Sequence, residues 1–260
     1  MNPVYFCHAL PMKWAAIIPD THRPYHDKKA YALMIKALRF VDPCEIVLLG
    51  DYADFYSVSR HSKDPRLEHL LQKEVDDVNS GLDELDALFP KAKKVFLEGN
   101  HEARLSSYVG NHASALFGLT DCEYLFRLNQ RPRWSWIGFG KSQLYRVLGS
   151  DLYTRHRPLA NNAKTSVLRA GLNLCYGDIH KIELAYAVAL DGRNLVGFCP
   201  GWLGDLKQVG AFDYMVSMPQ WQLGFALVGV DPSQPKMFHH QIITIKPDYS
   251  CVVWNKKIKL

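Results

Sequence analysis

Short apolar runs, each leading into a glycine or an acidic residue, punctuate the first hundred positions. Trp14 to Pro19 leads to Asp20, Glu45 to Leu49 to Gly50-Asp51, and Lys94 to Leu97 to Gly99-Asn100-His101. Runs this short, bounded by turn residues, suit buried strands. Between them lie two segments with helical periodicity. Asp27 to Phe40 places Ala30, Leu33, Met34, Ala37 and Leu38 on one face, and Leu67 to Leu88 does the same with Leu67, Leu70, Leu71, Val75, Val78, Leu82 and Leu85. A βαβαβ order predicts stacked α/β layers.

The second half reads as richer in strands. Those predicted are Leu144 to Leu148, Leu172 to Tyr176, Leu184 to Ala189, Leu195 to Phe198, Phe225 to Val230, His240 to Ile245 and Cys251 to Trp254, with a helix at Asn161 to Ala170. Ser106 to Lys141 is the least regular stretch and reads as an insertion that carries substrate contacts. There is no internal repeat or low-complexity linker, and 260 residues fit one domain, near the upper limit for one hydrophobic core.

Composition adds little: 48% hydrophobic and 22% charged residues describe an ordinary globular chain. The net charge of +5 mildly favours a polyanionic partner. Six scattered cysteines with no Cys-x-x-Cys pair point to free thiols in a reducing compartment. With no apolar run long enough to span a bilayer and no basic-then-apolar leader, the expected location is the cytoplasm, the host's if the protein is viral.

The chemistry sits just after the strands. Asp20-Thr21-His22, Gly50-Asp51-Tyr52-Ala53-Asp54, Gly99-Asn100-His101-Glu102, Tyr153-Thr154-Arg155-His156 and Gly177-Asp178-Ile179-His180 each follow an apolar run or short β-like stretch. Ligand sites in open α/β sheets lie outside the carboxyl ends of strands, so these clusters are expected to converge on one edge. Carboxylate, imidazole and amide oxygen together suit divalent cations.

In this order, Asp-x-His, Gly-Asp-x-x-Asp, Gly-Asn-His-Glu, a lone His and Gly-x-x-His resemble the signature of the calcineurin-like metallophosphoesterase superfamily, over Asp20 to His180. The tail from Asn194 to Val230, with Trp221-Gln222-Leu223-Gly224-Phe225, is similar to small bacteriophage phosphoesterases. The resemblance implies a four-layer αββα sandwich of two mixed β-sheets flanked by helices. It implies two divalent metal ions: Asp20, His22 and His180 on the first, Asn100 and His156 on the second, and Asp51 on both. Mn2+ is the expected ion, with Mg2+, Fe2+, Zn2+ and Ni2+ as alternatives. His101 would protonate or stabilise the leaving oxygen as a metal-bridging hydroxide attacks phosphorus in line. Asp54 and Glu102 would orient ligand histidines, and Arg104 would brace the loop or touch phosphate.

Position 178 departs from the pattern. The family has Gly-His-x-His where this chain has Gly177-Asp178-Ile179-His180, so Asp178 stands in for a histidine of the second site. A carboxylate there favours a harder ion. Two further features bear on substrate. Arg127, Arg131, Arg133, Trp134 and Trp136 form a basic and aromatic cluster of the kind that binds single-stranded nucleic acid, with a surface loop packed on the core as the alternative. His61 in Ser59-Arg60-His61-Ser62-Lys63 reads as a solvated loop, and His239-His240 as residues on opposite faces of a strand. The leading functional expectation is a nuclease acting on DNA or RNA. The alternatives are a small-molecule phosphomonoesterase or cyclic-nucleotide phosphodiesterase, and a non-catalytic nucleic-acid or nucleotide binder whose metal site is degraded at Asp178. Asp178→His is expected to tighten binding of the second ion in a metal titration; unchanged affinity and activity would remove position 178 from the ligand set.

Overall fold

The structure is a computed structural model that describes residues 11–59, 70–207 and 220–260. Cys7, the basic stretch from Arg60 to Lys63 with His61, and the first residues of the helix expected from Leu67 lie outside the described residues. In chain order the elements are β1 (Lys13–Ile18), α1 (Lys28–Val41), β2 (Glu45–Leu48), α2 (Leu71–Leu88), β3 (Lys93–Leu97), α3 (Asn100–His112), α4 (Cys122–Leu125) and β4 (Trp134–Ile137). Then come β5 (Tyr145–Arg146), β6 (Leu152–Arg155), α5 (Ala163–Ala170), β7 (Asn173–Tyr176), β8 (Ile182–Val188), β9 (Asn194–Pro200), β10 (Gly224–Val230), β11 (His239–Thr244), β12 (Ser250–Val253) and β13 (Lys256–Lys259).

Two mixed sheets stack face to face. The first has the order β11-β10-β1-β2-β3-β4, with β1 to β4 parallel and β10 antiparallel to β1. The second has the order β5-β6-β7-β9-β8, in which β6, β7 and β9 are parallel. The period-2 alternation of strand side chains decides what packs where. Ala16 and Ile18 of β1 point to the side packed by α1, α2 and α3, whereas Ala15 and Ile17 point to a core shared with Leu152, Cys175, Val196 and Phe198 of the second sheet. The far face of that sheet packs Leu174, Leu195 and Cys199 against Ala163 and Val167 of α5. The layers are therefore helix, sheet, sheet, helix, as expected. Strands buried on both faces read as continuous apolar runs, which is why β10 (Gly224–Val230) is buried throughout.

Helix ends follow side-chain chemistry. Asp27 caps α1 by accepting from the Lys29 and Ala30 amides, both at 2.9 Å. Gly171 closes α5 in the left-handed conformation at φ 63°. Among the described cysteines all are free; four are buried and Cys44 is exposed.

Ser106 to Lys141 is not an insertion. α3 extends to His112, and β4 extends the first sheet in parallel register with β3, Lys94 opposite Trp134 and Leu97 opposite Ile137. The cluster from Arg127 to Trp136 is largely consumed by this packing. Arg131 donates to Asp86 at 2.7 Å and pairs with Asp83 at 2.6 Å; the Trp134 indole donates to Asp86 at 2.8 Å. Trp136 packs on Phe96 with ring centroids 5.0 Å apart. Asp86 also meets Lys94, 1% exposed, at 3.0 Å. One carboxylate therefore compensates two cations and an indole N–H. Its removal leaves a buried ammonium without a counter-charge. Asp86→Ala is expected to cost about 3 kcal/mol of stability, read as a lower urea midpoint; an unmoved midpoint would return Arg131 and Trp134 to the surface.

Candidate metal centre

The site forms where loops leave the carboxyl ends of five parallel strands. Asp20 and His22 follow β1, Asp51 and Asp54 follow β2, and Asn100 and His101 open α3 after β3. His156 follows β6, and Asp178 and His180 follow β7. Both sheets thus contribute to one edge. Tight turning is needed at this edge, and four polar residues adopt left-handed backbone: His22 at φ 54°, Asp51 at 48°, Asp178 at 69° and His180 at 57°. Such conformations are uncommon outside glycine and persist where surrounding structure holds them. Close approach also restricts Gly99, where a Cβ would collide with the backbone and side chain of Asp51.

The side chains converge as the motifs suggest. Potential ligand atoms of Asp20, His22, Asp51 and His180 lie within 4.8 Å of one another, as do those of Asp51, His156 and Asp178. Asp51 belongs to both groups. Asn100 joins the second, its Oδ1 3.0 Å from His156 Nε2. A third grouping, His22, Asp54 and His101, meets the same distance limit. There His22 Nδ1 faces Asp54 at 2.9 Å and His101 Nδ1 faces the Asp54 carbonyl at 2.7 Å, so these contacts orient rings.

Hydrogen bonds select the tautomers. His156 Nδ1 donates to the Leu49 carbonyl at 2.8 Å, and His22 Nδ1 donates to Asp54. Both leave Nε2 as the atom facing the cluster. His22 Nε2 lies 3.0 Å from His180 Nε2, and His156 Nε2 lies 3.3 Å from Asp51 Oδ2 beside the Asn100 oxygen. Lone pairs facing acceptors repel unless a proton or a cation lies between them. Asp20 Oδ1 is buried with no partner among the described residues. This mixed nitrogen and oxygen donor set fits divalent transition-metal ions.

The electrostatics express the same demand for positive charge. Burial opposes a charged His156, but Asp51, Asp20 and Asp178 outweigh it and push its pKa up to about 10. Burial likewise opposes charge on His101, yet Asp51 and Asp54 raise it to about 9, against Arg104. Asp51 is held well below the usual carboxylate range, its burial overcome by His101, His156 and His22. Glu102 accepts amide hydrogens from Asp51 at 2.9 Å, Ala53 at 2.8 Å and Gly99 at 2.8 Å, clamping the β2 and β3 loops together. Burial, followed by the charge of Asp51, lifts its pKa to about 7. Arg104 Nη2 lies 3.1 Å from His101 Nε2, and Nη1 donates to the Asp54 carbonyl at 3.3 Å, a bracing position.

Three neighbours were not singled out by the motifs. Arg157 reaches Asn100 Oδ1 at 3.2 Å and Asp178 Oδ2 at 3.4 Å with its side chain about half exposed. Its only sequence signal is its place next to His156. Trp202 stacks on the His180 ring with centroids 4.9 Å apart, and Trp221 meets that ring edge-on at 4.5 Å. His240 stacks on Phe198 at 5.0 Å, away from the cluster.

No protein-family model matches the chain. Its sequence is 26% identical over 239 residues to the Gene 54 proteins of Mycobacterium phage L5 and Mycobacterium phage D29, covering 86% of this chain and 91% of each relative. Its structure matches Vacuolar Protein Sorting 29 from Cryptosporidium parvum with a TM-score of 0.52 and 13% identity, over 96% of this chain and 99% of that one. The property shared with that structure is the fold.

A metal-free His156 with a raised pKa contributes stability that is complete below its unfolded value of 6.5 and lost as pH rises toward about 10. Protein treated with chelator is therefore expected to melt at lower temperature across that window. Added Mn2+ should raise the melting temperature more at the alkaline end, because a ligating His156 must release its proton; affinity rises about tenfold per pH unit for each proton released. A metal-induced shift that stays flat with pH would refute the assignment.

Proposed function

We propose that the protein is a phosphodiesterase that works with two divalent cations, with nucleic acid as its diester. The observation that carries the reading is Asp51 shared between two ligand groups, with His101 beside them and outside both, its Nε2 3.8 Å from Asp51 Oδ2. In this reading Asp20, His22 and His180 hold one ion, Asn100, His156 and Asp178 the other, and Asp51 both. When bound, the pair supplies a water of lowered pKa and neutralises charge on the phosphate oxygens. Mn2+ is the preferred ion, because Asp178 adds a carboxylate to the second set.

The remaining work falls to the chain. His101 is the general acid for the leaving oxygen. Its ring is fixed by the Asp54 carbonyl on Nδ1, leaving Nε2 toward the cluster. Neutralisation of Asp51 would weaken its pull on His101 and bring the imidazole down from about 9, toward the range where it exchanges protons near neutrality. Arg104, with Nη2 3.1 Å from that same Nε2, opposes charge on the ring and so favours release of its proton. Arg157, partly exposed beside Asn100 and Asp178, is placed to bind a phosphate oxygen. A net charge of +5 supports a polyanionic substrate.

The test compares bis-p-nitrophenyl phosphate with p-nitrophenyl phosphate in Mn2+. The expected result is turnover of the diester that falls about 100-fold or more in His101→Ala, with two ions per chain retained by metal analysis. Turnover of the monoester alone would make the protein a small-molecule phosphatase. Full activity in the variant would remove His101 from the chemistry.

A further inference from the structure

His180 has indoles on two sides. Its ring stacks on Trp202 with planes 19° apart, and Trp221 stands edge-on to both, 4.5 Å from His180 and 4.7 Å from Trp202. The same two tryptophans line a cavity of about 790 Å³ that extends away from the metal ligands over Leu223 and Tyr249. A cavity of this size takes a drug-sized ligand or a short stretch of a longer one. Four lysines line it: Lys28 and Lys29 from the start of α1, Lys207 from the segment after Trp202, and Lys246 from the turn after β11. All four are exposed.

Charge in this groove is net positive, four lysines against Asp27 and Asp205. Both aspartates accept hydrogen bonds from neutral donors. Asp27 caps α1 and accepts the Tyr249 hydroxyl at 2.9 Å, and Asp205 accepts the Lys207 amide at 2.9 Å. No ammonium of the four lysines pairs with a carboxylate among the described residues; Lys29 instead lies over the Tyr249 ring at 5.4 Å. Like charges drawn from three separate stretches of chain call for a ligand with repeating negative charge. Trp202 is 1% exposed and packs behind His180, so the aromatic face open at the junction is that of Trp221; it calls for a flat ring free to stack, which a duplex keeps inside its own stack.

We infer that this groove binds a single-stranded polynucleotide, with phosphates along Lys28, Lys29, Lys207 and Lys246 and a base against Trp221, feeding the strand to the metal ligands past His180. The inference rests on the phosphodiesterase reading for what happens to the strand once it arrives. It also relocates the nucleic-acid surface: Arg131, Trp134 and Trp136 are committed to the fold, whereas these residues lie beside a ligand of the site.

The experiment uses the full chain in Mn2+, a short oligodeoxythymidylate and bis-p-nitrophenyl phosphate, with the triple variant Lys28→Glu, Lys29→Glu, Lys246→Glu. The first two changes put negative charge in the first turn of α1, where the helix dipole favours it, so folding is retained. The expected result is a loss of about 30-fold or more in kcat/KM for the oligomer, with hydrolysis of the small diester within about twofold of the parent. Loss of three single-strand phosphate contacts also flattens the dependence of log(kcat/KM) on log salt by about 2. Equal loss on both substrates, or none on the oligomer, would overturn the groove. Parent protein that cleaves the small diester but not the oligomer would overturn the groove and leave the metal centre standing. If the parent cleaves neither, salt-sensitive binding of labelled oligomer, lost in the variant, would keep the groove while the phosphodiesterase reading falls.

Discussion

Burial of Asp51 among imidazoles is the constraint on which the rest of the site depends. The residue is 2% exposed and shared by two groups of potential ligands. Its carboxylate, the unpartnered oxygen of Asp20 and the inward nitrogens of His22 and His156 concentrate electron density in a largely buried space. Such an arrangement is stable only with positive charge inside it. Protons supply that charge to the metal-free protein, which is why His101 and His156 hold theirs so firmly. Divalent cations would satisfy the same need with more charge, in a site whose donors are already aimed.

The fold supplies the aim by joining two sheets at one edge. His156 belongs to the loop after a strand of the second sheet, yet its Nδ1 is fixed by Leu49 at the end of a strand of the first. Glu102 ties the loops after β2 and β3 through three amides. The inter-sheet core, in which Val47, Leu49, Val95 and Leu97 meet Leu152, Cys175 and Phe198, sets the spacing across which these bonds form. Stability and site geometry are therefore coupled: a packing change between the sheets moves His156 and His180 relative to Asp51.

Tryptophans illustrate how context divides one residue type between two tasks. Trp134 and Trp136 cover the helix-side core beside β3, one anchored by Asp86 and the other on Phe96. Trp202 and Trp221 instead flank His180 and border a groove lined by lysines. The first pair has carboxylates nearby to bind its companion cations, Arg131 and Lys94. The second pair lies beside lysines whose ammoniums meet no carboxylate among the described residues.

Local pattern alone was enough to identify α1, the strands β1 to β3, most of the later strands and the order of the polar motifs, because strand and helix periods and the turn glycines are properties of short segments. Stacked α/β layers followed from the βαβαβ order, and the four-layer arrangement of two sheets from the family resemblance. The strand β4 and the role of Arg131 and Trp134 were not legible there: Trp-Ser-Trp-Ile reads as an exposed aromatic pair until Asp86 and Phe96, from elements far away in the chain, are brought beside it. Arg157 and the tryptophans around His180 were hidden for the same reason, because their partners come from other loops. Which residue types are present, and in what order, was written along the chain. Which nitrogen faces the cluster, which charges are compensated and which remain open were decided only by tertiary structure, because each depends on distances between segments that sequence does not carry.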